Sequence, residues 1–236
     1  MSRFKLIKRQ EVPIPTMAGW LVLVILLTLV IIIFGRGIHS FLSPVQPLVR
    51  SQVLVVEGWL DSDQLDQAII AYRKGNYEYL ITSGGPINNW SDVSAFNSYA
   101  DRAAYYLKTH GLDDILILSV PAPASAQNNT FLSAVMVREA LSTEQKITVF
   151  DVYSGGVHSR RTHMVYRLAF GSDVDIGILS ASPTNYDETQ WWKESDGAKS
   201  VIGETINLLW TVCCFYPPPP GSHEEKWAVS RTAEAD

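Results

Sequence analysis

Short apolar segments alternate with amphipathic segments five times along the middle of the chain, and this alternation limits the possible folds more than any other feature. The apolar segments are continuous, as expected for strands that are buried on both faces of a sheet. Glycine ends several of the amphipathic segments, where a helix typically stops. The expected strands are residues 52–56, 78–83, 115–120, 147–153 and 174–180, and the expected helices are residues 65–75, 94–111, 130–141, 159–171 and 201–210.

Regular alternation of strands and helices predicts a parallel sheet with helices on both faces. The predicted fold class is α/β: a Rossmann-like, doubly wound, mostly parallel five-stranded sheet, preceded by one N-terminal transmembrane helix. The predicted α/β domain covers residues 50–212. Residues 213–236 contain a proline run followed by a polar segment, which predicts a tail without stable structure.

An uncharged apolar segment, residues 17–34, precedes the predicted domain and is long enough to cross a membrane. We expect a single-pass transmembrane helix at residues 17–36, followed by a linker at residues 37–49. A cleavable signal peptide would have a shorter apolar region and small residues at its cleavage site, which this sequence does not offer. The positive-inside rule places residues 1–16 in the cytoplasm and the α/β domain in the periplasm, outside the cell or in a lumen. The expected location is the plasma (inner) membrane. The basic residues that determine this orientation are Arg3, Lys5, Lys8 and Arg9.

Composition and charge exclude several classes of function. The net charge of −5 and the pI near 5.5 give no broad basic surface, so no nucleic-acid partner is expected. No set of histidine, cysteine and carboxylate residues has the spacing of a metal site, so no metal is predicted, and the cofactor is unknown. The two cysteines, Cys213 and Cys214, are adjacent, which favours packing as small hydrophobic side chains over a redox pair.

Ligands of open α/β sheets bind outside the carboxyl ends of the strands, so the residues that follow each predicted strand are the candidates for a site. These positions collect glycines, hydroxyls, amides and arginine, but they lack the spacing of a P-loop or a dinucleotide fingerprint. The candidate ligand-binding residues are Gly58 after the first strand, Ser83, Gly84 and Gly85 after the second, Asn129 and Thr130 after the third, and Ser154, Gly155, Gly156, Ser159 and Arg161 after the fourth.

The segment SGGVHSRR, residues 154–161, carries the most specific signal. Its glycines permit close approach of the backbone to a ligand, and the start of the following helix offers free N–H groups and a partial positive charge. His158 and Arg161 are three residues apart and share one face of the first helical turn. Since arginine binds phosphate with two hydrogen bonds, the segment predicts an anion site that favours phosphate. The same pattern also fits a tight turn in which Ser159 only caps the helix.

Glu57 directly follows the first buried strand, and it is predicted to be catalytic together with His158, as a general base facing that histidine. The alternative is an ion-paired or helix-capping acid. Asp61 and Asp63 are expected to cap the first helix of the domain. Thr130 either caps its own helix or donates to a bound phosphate.

The order and spacing of these motifs resemble the domain of unknown function 218 family, the YdcF/SanA/ElyC-like envelope proteins. The resemblance implies a Rossmann-like fold behind an N-terminal membrane helix, and a role in envelope polysaccharide or lipid-carrier metabolism. It also implies site positions at Ser83, Gly84, Gly85, Thr130, His158 and Arg161. The matching segments are VLVVEGWL (53–60), YLITSGGP (79–86), YADRAAYYLKTHGL (99–112), NNTFLSAVMVREAL (128–141), FDVYSGGVHSRRTHMVYRLAF (150–170) and WWKESDGAKSVIGETINLLW (191–210).

The chain departs from the family pattern at two places. Tyr99 stands where the family commonly has an acid, in the S-E-A segment before its second helix. The run PAPASAQNNTFLSA keeps Asn129 and Thr130 but lacks both acids of the family's E-x-S-x-N-T-x-E-N pattern. These losses weaken any acid–base or metal mechanism carried over from the family, and Glu57 is the candidate to replace one lost carboxylate.

Three functions are compatible with the sequence. The expected function is a membrane-anchored domain of the cell envelope that binds a phosphate-bearing small molecule or lipid-linked intermediate. The second is a non-catalytic regulatory or scaffold module of the envelope, which the missing acids favour. The third is an S-adenosylmethionine-binding protein, by analogy with one branch of the family, although an external location fits a cytoplasmic cofactor poorly. An enzymatic and a non-enzymatic role both stay open.

Overall fold

A computed structural model describes residues 14–87, 95–124, 128–144 and 147–226. It contains two compact units, Met1–Gly37 and Ile38–Asp236. Most of helix α1, Met17–Leu42, lies in the first unit. Among the described residues, α1 is the one helix that is long and apolar enough to cross a membrane, and the same length and composition also fit a signal sequence.

The second unit is built on a five-stranded, all-parallel sheet in the order β3-β2-β1-β4-β5. Helices cover both faces, which confirms the predicted α/β, Rossmann-like class. The strands are β1 Val53–Glu57, β2 Tyr79–Gly84, β3 Ile117–Pro121, β4 Val149–Gly155 and β5 Asp175–Ala181. The helices after β1 are α2 Ser62–Lys74, α3 Tyr99–Thr109, α4 Asn129–Glu144, α5 Ser159–Phe170 and α6 Ser195–Cys214.

Side chains of β1 alternate between two core layers, one on each face of the sheet. Val53 and Val55 belong to a cluster with residues of α4 and α5, whereas Leu54 and Val56 pack with residues of α2 and α3. All four side chains are fully buried. Burying one such side chain contributes about 1.5–3 kcal/mol, so both helical layers stabilise the central strand. This double burial explains why the strand segment is apolar throughout.

The chain reverses its direction of travel across the sheet at β1, because β2 pairs on one side of this strand and β4 on the other. At such a switch point a crevice forms outside the carboxyl ends of the two central strands. Glu57 is the last residue of β1 and Gly155 is the last residue of β4. The topology therefore places both residues at the crevice.

Helix α1 continues to Leu42, beyond its predicted end at residue 36. Ile38 and Leu42 are buried and pack in one small cluster with Val157 and Val201. The helix continues past residue 36 because Ile38 and Leu42 are buried in this cluster of the α/β unit. Part of the expected linker at residues 37–49 is therefore helical and belongs to the core of that unit.

The tail expected to lack stable structure is packed as far as residue 226. Phe215 is 6% exposed, and its ring lies edge-on to Phe131 of α4 with 5.4 Å between centroids. Glu225 is buried and forms an ion pair with Arg138 of α4. The expectation is wrong for this part of the tail, because an aromatic ring and a buried ion pair fix it to the domain. Residues 227–236 lie outside the described part of the chain.

Cys213 and Cys214 end helix α6 at the surface, and a disulfide joins them. Both side chains are exposed, while the neighbouring Thr211 and Phe215 are buried. The prediction that the cysteines pack as small hydrophobic side chains is therefore wrong, because the helix turns its buried face away from them.

Candidate functional site

A cleft of about 1070 Å³ opens at the carboxyl edge of the sheet, beside the crevice between β1 and β4. Its walls come from the turn after β4, the start of α4, the loop after β5 and one face of α6. A smaller cavity of about 250 Å³ adjoins it, and Trp59, Asn129 and Thr130 line both. Of the other predicted residues, the cleft is lined by Gly155, Gly156, His158 and Arg161, and the smaller cavity by Glu57, Ser83, Gly84 and Gly85.

The turn between β4 and α5 depends on its two glycines. Gly156 has a φ of +44°, in the left-handed region that glycine adopts without strain. A Cβ atom on Gly155 would lie 2.6 Å from the ring of Trp59, which is too close for a real contact. A short 3-10 turn then leads into α5, so that His158 precedes the helix and Arg161 lies in its first turn.

Arg161, His158 and Glu204 form a charged cluster on the cleft wall. Arg161 donates from Nε to Glu204 Oε2 at 2.9 Å and from Nη2 to Glu204 Oε1 at 3.2 Å. The Nδ1 atom of His158 lies 3.1 Å from Glu204 Oε1. Burial alone would raise the pKa of Glu204, but hydrogen bonds from His158 and Arg161, and their charges, outweigh burial and lower the pKa to about 2. Glu204 is therefore a carboxylate at neutral pH.

The two contacts of His158 Nδ1 fit different tautomers of the ring. Its Nδ1 atom also lies 2.9 Å from Arg161 Nη2, and arginine only donates, so this contact is a hydrogen bond only when Nδ1 carries no proton. The contact with Glu204 requires a proton on the same atom. The opposite nitrogen, Nε2, is buried without a hydrogen-bond partner among the described residues and lies 3.9 Å from Glu57 Oε1. A proton moving between the ring nitrogens thus changes the partner of His158.

Glu57 is 4% exposed, and hydroxyl groups hold its carboxylate. Ser154 of β4 donates to Oε2, and the Thr162 hydroxyl of α5 lies 3.3 Å from Oε1 and 3.2 Å from Oε2. The two hydroxyls lie 3.2 Å from each other. These hydrogen bonds offset the burial of a charged group, which is otherwise unfavourable. Glu57 and His158 are thus brought together as the sequence predicts, although at more than hydrogen-bonding distance.

A second pair of buried hydroxyl groups is formed by Ser83, which lines the smaller cavity, and Tyr166. The Ser83 Oγ and Tyr166 OH atoms are 3.1 Å apart, and both residues are buried. Burial raises the pKa of Tyr166, the charge of Glu57 raises it further, and the hydrogen bond with Ser83 acts in the opposite direction. Tyr166 is therefore a neutral phenol, and the Ser83 hydroxyl is already engaged inside the protein.

Three predicted ligand-binding residues lie away from the cleft. The hydroxyl of Ser154 donates to Glu57, and that of Ser159 donates to a serine of β5. Neither residue lines the cleft or the smaller cavity. Gly58 packs against the start of α3, where an added Cβ atom would lie 2.3 Å from the carbonyl oxygen of Tyr99. The structure gives these small side chains roles in packing and internal hydrogen bonds, and their part in ligand binding stays a prediction.

The capping residues of α4 and α2 can be identified in the structure, and they bear on whether Thr130 caps its own helix. The backbone N–H of Phe131 donates to Asn128 Oδ1 at 3.0 Å, so Asn128 caps α4. Thr130 lines both cavities, which leaves ligand contact as its predicted role. Asp61 caps α2 as predicted, and it accepts a backbone hydrogen bond at 2.8 Å. Asp63 lies in the first turn of α2 and does not occupy the cap position.

Sequence reasoning missed Glu204, Thr162 and Lys199. Glu204 is the only acid in the predicted helical segment 201–210, and a lone acid in an apolar helix signals a buried partner. Thr162 and the exposed, cleft-lining Lys199 carry no comparable local signal. The missed acid matters most, because the expected anion-binding arginine, Arg161, already holds a carboxylate of the protein itself.

The fold and the cleft define the class of protein: an α/β domain with a Rossmann-like sheet and a polar cleft at its switch point. Within the described residues, no group of three or more histidine, cysteine or carboxylate side chains is placed to hold a metal ion. No protein-family model matches the chain, and no curated protein matches its sequence at a significant level.

Proposed function

We propose that this protein is a membrane-anchored α/β domain of the cell envelope that binds a phosphate-bearing small molecule or lipid-linked intermediate. One observation carries the proposal: Arg161 lies in the first turn of α5 and faces a large cleft at the switch point of the sheet. Although Nε and Nη2 of Arg161 contact Glu204 and His158, its Nη1 group has no hydrogen-bond partner in the described chain. The guanidinium therefore keeps donors for an anion.

Other groups of the cleft favour the same ligand class. The N-terminus of α5 supplies partial positive charge, and Thr130 and Lys199 supply a hydroxyl and an ammonium group. The cleft volume of about 1070 Å³ is at the upper end for small-molecule sites, so it has room for more than a free phosphate. A phosphate ester or a lipid-linked phosphate with a polar headgroup fits this size.

In this proposal, α1 anchors the domain to the plasma membrane, with the N-terminus in the cytoplasm and the α/β domain outside. The basic residues before the apolar segment support that orientation through the positive-inside rule. The resemblance of the motif order to the YdcF/SanA/ElyC-like envelope proteins supports the same location and ligand class. Residues 1–16 would then be the cytoplasmic segment.

The test is ligand binding to the full-length protein in lipid nanodiscs. Inorganic phosphate, pyrophosphate and a short-chain polyprenyl phosphate are titrated by calorimetry, with S-adenosylmethionine as the competing ligand. We expect a phosphate ligand to bind, and Arg161→Ala to weaken its Kd by about tenfold or more. Arg73→Ala is the matched control, because Arg73 pairs with Asp114 on the surface and does not line the cleft. If no phosphate ligand binds, or if both variants bind equally, the proposal is wrong.

A non-catalytic role is the second candidate, and the burial of Glu57 favours it. Both carboxylate oxygens of Glu57 have hydroxyl contacts from Ser154 and Thr162, so the group is held in place before any ligand arrives. Turnover of a bound phosphate ester that disappears in His158→Gln, with binding retained, would assign proton transfer to His158 and reject this candidate. Binding without turnover in the wild type would support it.

A further inference from the structure

Helix α6 exposes an apolar ridge, which we define as Ile202, Ile206, Leu209 and Trp210. The exposed fractions of these side chains lie between 44% and 63%. Their spacing places them on one side of the helix, while Val201 and Thr211 on another side are buried. No charged residue occurs from residue 205 to residue 222. Contiguous exposed apolar surface of this kind marks an interaction site.

The ridge belongs to the helix that contacts the end of α1. Val201, next to Ile202, packs in one cluster with Ile38 and Leu42. Ile38 lies four residues after Phe34, the last residue of the uncharged apolar segment that makes up most of α1. Only three residues separate Phe34 from Ile38 in the sequence. If α1 anchors the protein, as proposed above, the chain tethers the cluster of Ile38, Leu42 and Val201 to the membrane through this short segment.

The side chains around the ridge have the chemistry of a membrane interface. Trp210 is on the ridge and Tyr216 follows the helix with 80% of its surface exposed, and both residue types concentrate at lipid–water boundaries. A cavity of about 600 Å³ next to α6 combines apolar side chains of that helix with Arg160 and Arg167 of α5. Basic groups beside an apolar surface fit anionic lipid headgroups above their acyl chains.

We infer that the α6 ridge docks on the surface of an anionic lipid bilayer, the same bilayer that holds α1. Trp210 belongs to the ridge and also lines the cleft, so the ridge meets the candidate site at this residue. Arg161 lines the same cleft. The inference rests on the proposed function and narrows its ligand class to a lipid-linked phosphate, whose apolar chain lies along the ridge.

The experiment places nitroxide labels on the full chain in vesicles of phosphatidylcholine with phosphatidylglycerol. Single cysteines are introduced as Ile206→Cys, Ile70→Cys and Val24→Cys in a background that carries Cys213→Ser and Cys214→Ser. Ile70 is the matched control, because it is also an isoleucine on a helix surface, 52% exposed against 60% for Ile206. Power saturation compares the access of oxygen, which concentrates in lipid, with that of a water-soluble nickel complex.

Docking predicts that the label at residue 206 is several-fold more accessible to oxygen than to nickel, while the label at residue 70 shows the reverse. A label at residue 206 that resembles the one at residue 70 overturns the inference. A label shielded from both reagents also overturns it, since protein then covers the ridge, and dipolar broadening between labels would identify a second copy. The label at residue 24 separates the two failures: lipid exposure there with water exposure at residue 206 leaves the anchor intact, whereas water exposure at residue 24 removes the anchor itself.

Discussion

Glu204 and Arg161, 43 residues apart in the chain, form a two-contact ion pair on the cleft wall, with Oε2 2.9 Å from Nε and Oε1 3.2 Å from Nη2. The two side chains are only 16% and 15% exposed. Two parallel contacts of this kind fix the planes of both groups and restrict how either can turn. The pair therefore sets the orientation of the arginine that the proposed ligand would meet.

Removal of Arg161 should destabilise the fold, because it leaves the Glu204 carboxylate poorly compensated in a buried place. We expect Arg161→Ala to lower the free energy of unfolding by about 3 kcal/mol at pH 7, measured by urea denaturation. Arg161→Lys should recover part of the loss. The control is Arg73→Ala, whose partner Asp114 is 58% exposed, and its effect should be much smaller. Equal effects of the two alanine substitutions would contradict the role assigned to the buried pair.

The pH dependence of the free energy of unfolding should reveal the ionisation of Glu204. Its pKa is about 2 in the folded protein against an ordinary value of 4.5, so its contribution is full above pH 4.5 and is lost as the pH falls toward 2. The loss should be on the order of 3 kcal/mol. Urea unfolding of wild type and Glu204→Gln across pH 2–6 tests this, because the variant lacks the titrating group. If the free energies of unfolding of the two proteins depend on pH in the same way, the pKa of Glu204 is not lowered in the folded state.

The hydroxyls around Glu57 should act as a unit. Ser154→Ala and Thr162→Val each remove one donor to a buried carboxylate, and each should lower the free energy of unfolding by about 1–3 kcal/mol. Because the two hydroxyls lie 3.2 Å apart, the double variant should differ from the sum by about 0.5–3 kcal/mol. Thr109→Val provides the control, since that hydroxyl bonds only to nearby groups at the exposed end of α3. Strict additivity would mean that Glu57 is held by other contacts.

Gly155→Ala should disturb Trp59 and, through it, His158. The new methyl group would lie 2.6 Å from the indole of Trp59. The indole ring packs edge-to-face with the ring of His158, with 5.0 Å between the ring centroids. Overpacking of this kind typically lowers the free energy of unfolding by about 1–3 kcal/mol. The histidine proton resonances should shift as well, which NMR can follow in labelled protein. Gly203→Ala is the control, because nothing lies within 4 Å of the atom it adds.

Local sequence signals were sufficient for the elements of the fold. The continuous apolar segment that became β1 reflects burial on both faces, which is a property of the strand itself. Gly75 and Gly171 mark the ends of α2 and α5 as expected, because a helix end needs only local backbone geometry. The position of Glu57 at the site also follows from a local signal, because Glu57 comes directly after a predicted strand and ligands bind outside the carboxyl ends of parallel strands.

The pairing of side chains could not be predicted in this way. The sequence predicts that Arg161 binds an anion, but it does not reveal the partner Glu204, which lies on a helix that follows two further elements of the chain. Ser159 was expected to face the ligand, yet its hydroxyl turns toward β5. Both outcomes depend on which helix face packs on the sheet, and a single sequence does not contain that information before the fold is assembled.

The contacts made by Phe215 and Glu225 have a consequence for the order in which the protein can fold during synthesis. Arg138 donates to the carbonyl oxygen of Ala169 and to Glu225, so it joins α4, α5 and the last described turn. These groups become available to α4 late in synthesis, because Glu225 follows Arg138 by 87 residues. The core beneath α4 is therefore incomplete until residue 226 emerges, and a nascent chain that stalls before this point exposes Phe131 to chaperones and proteases.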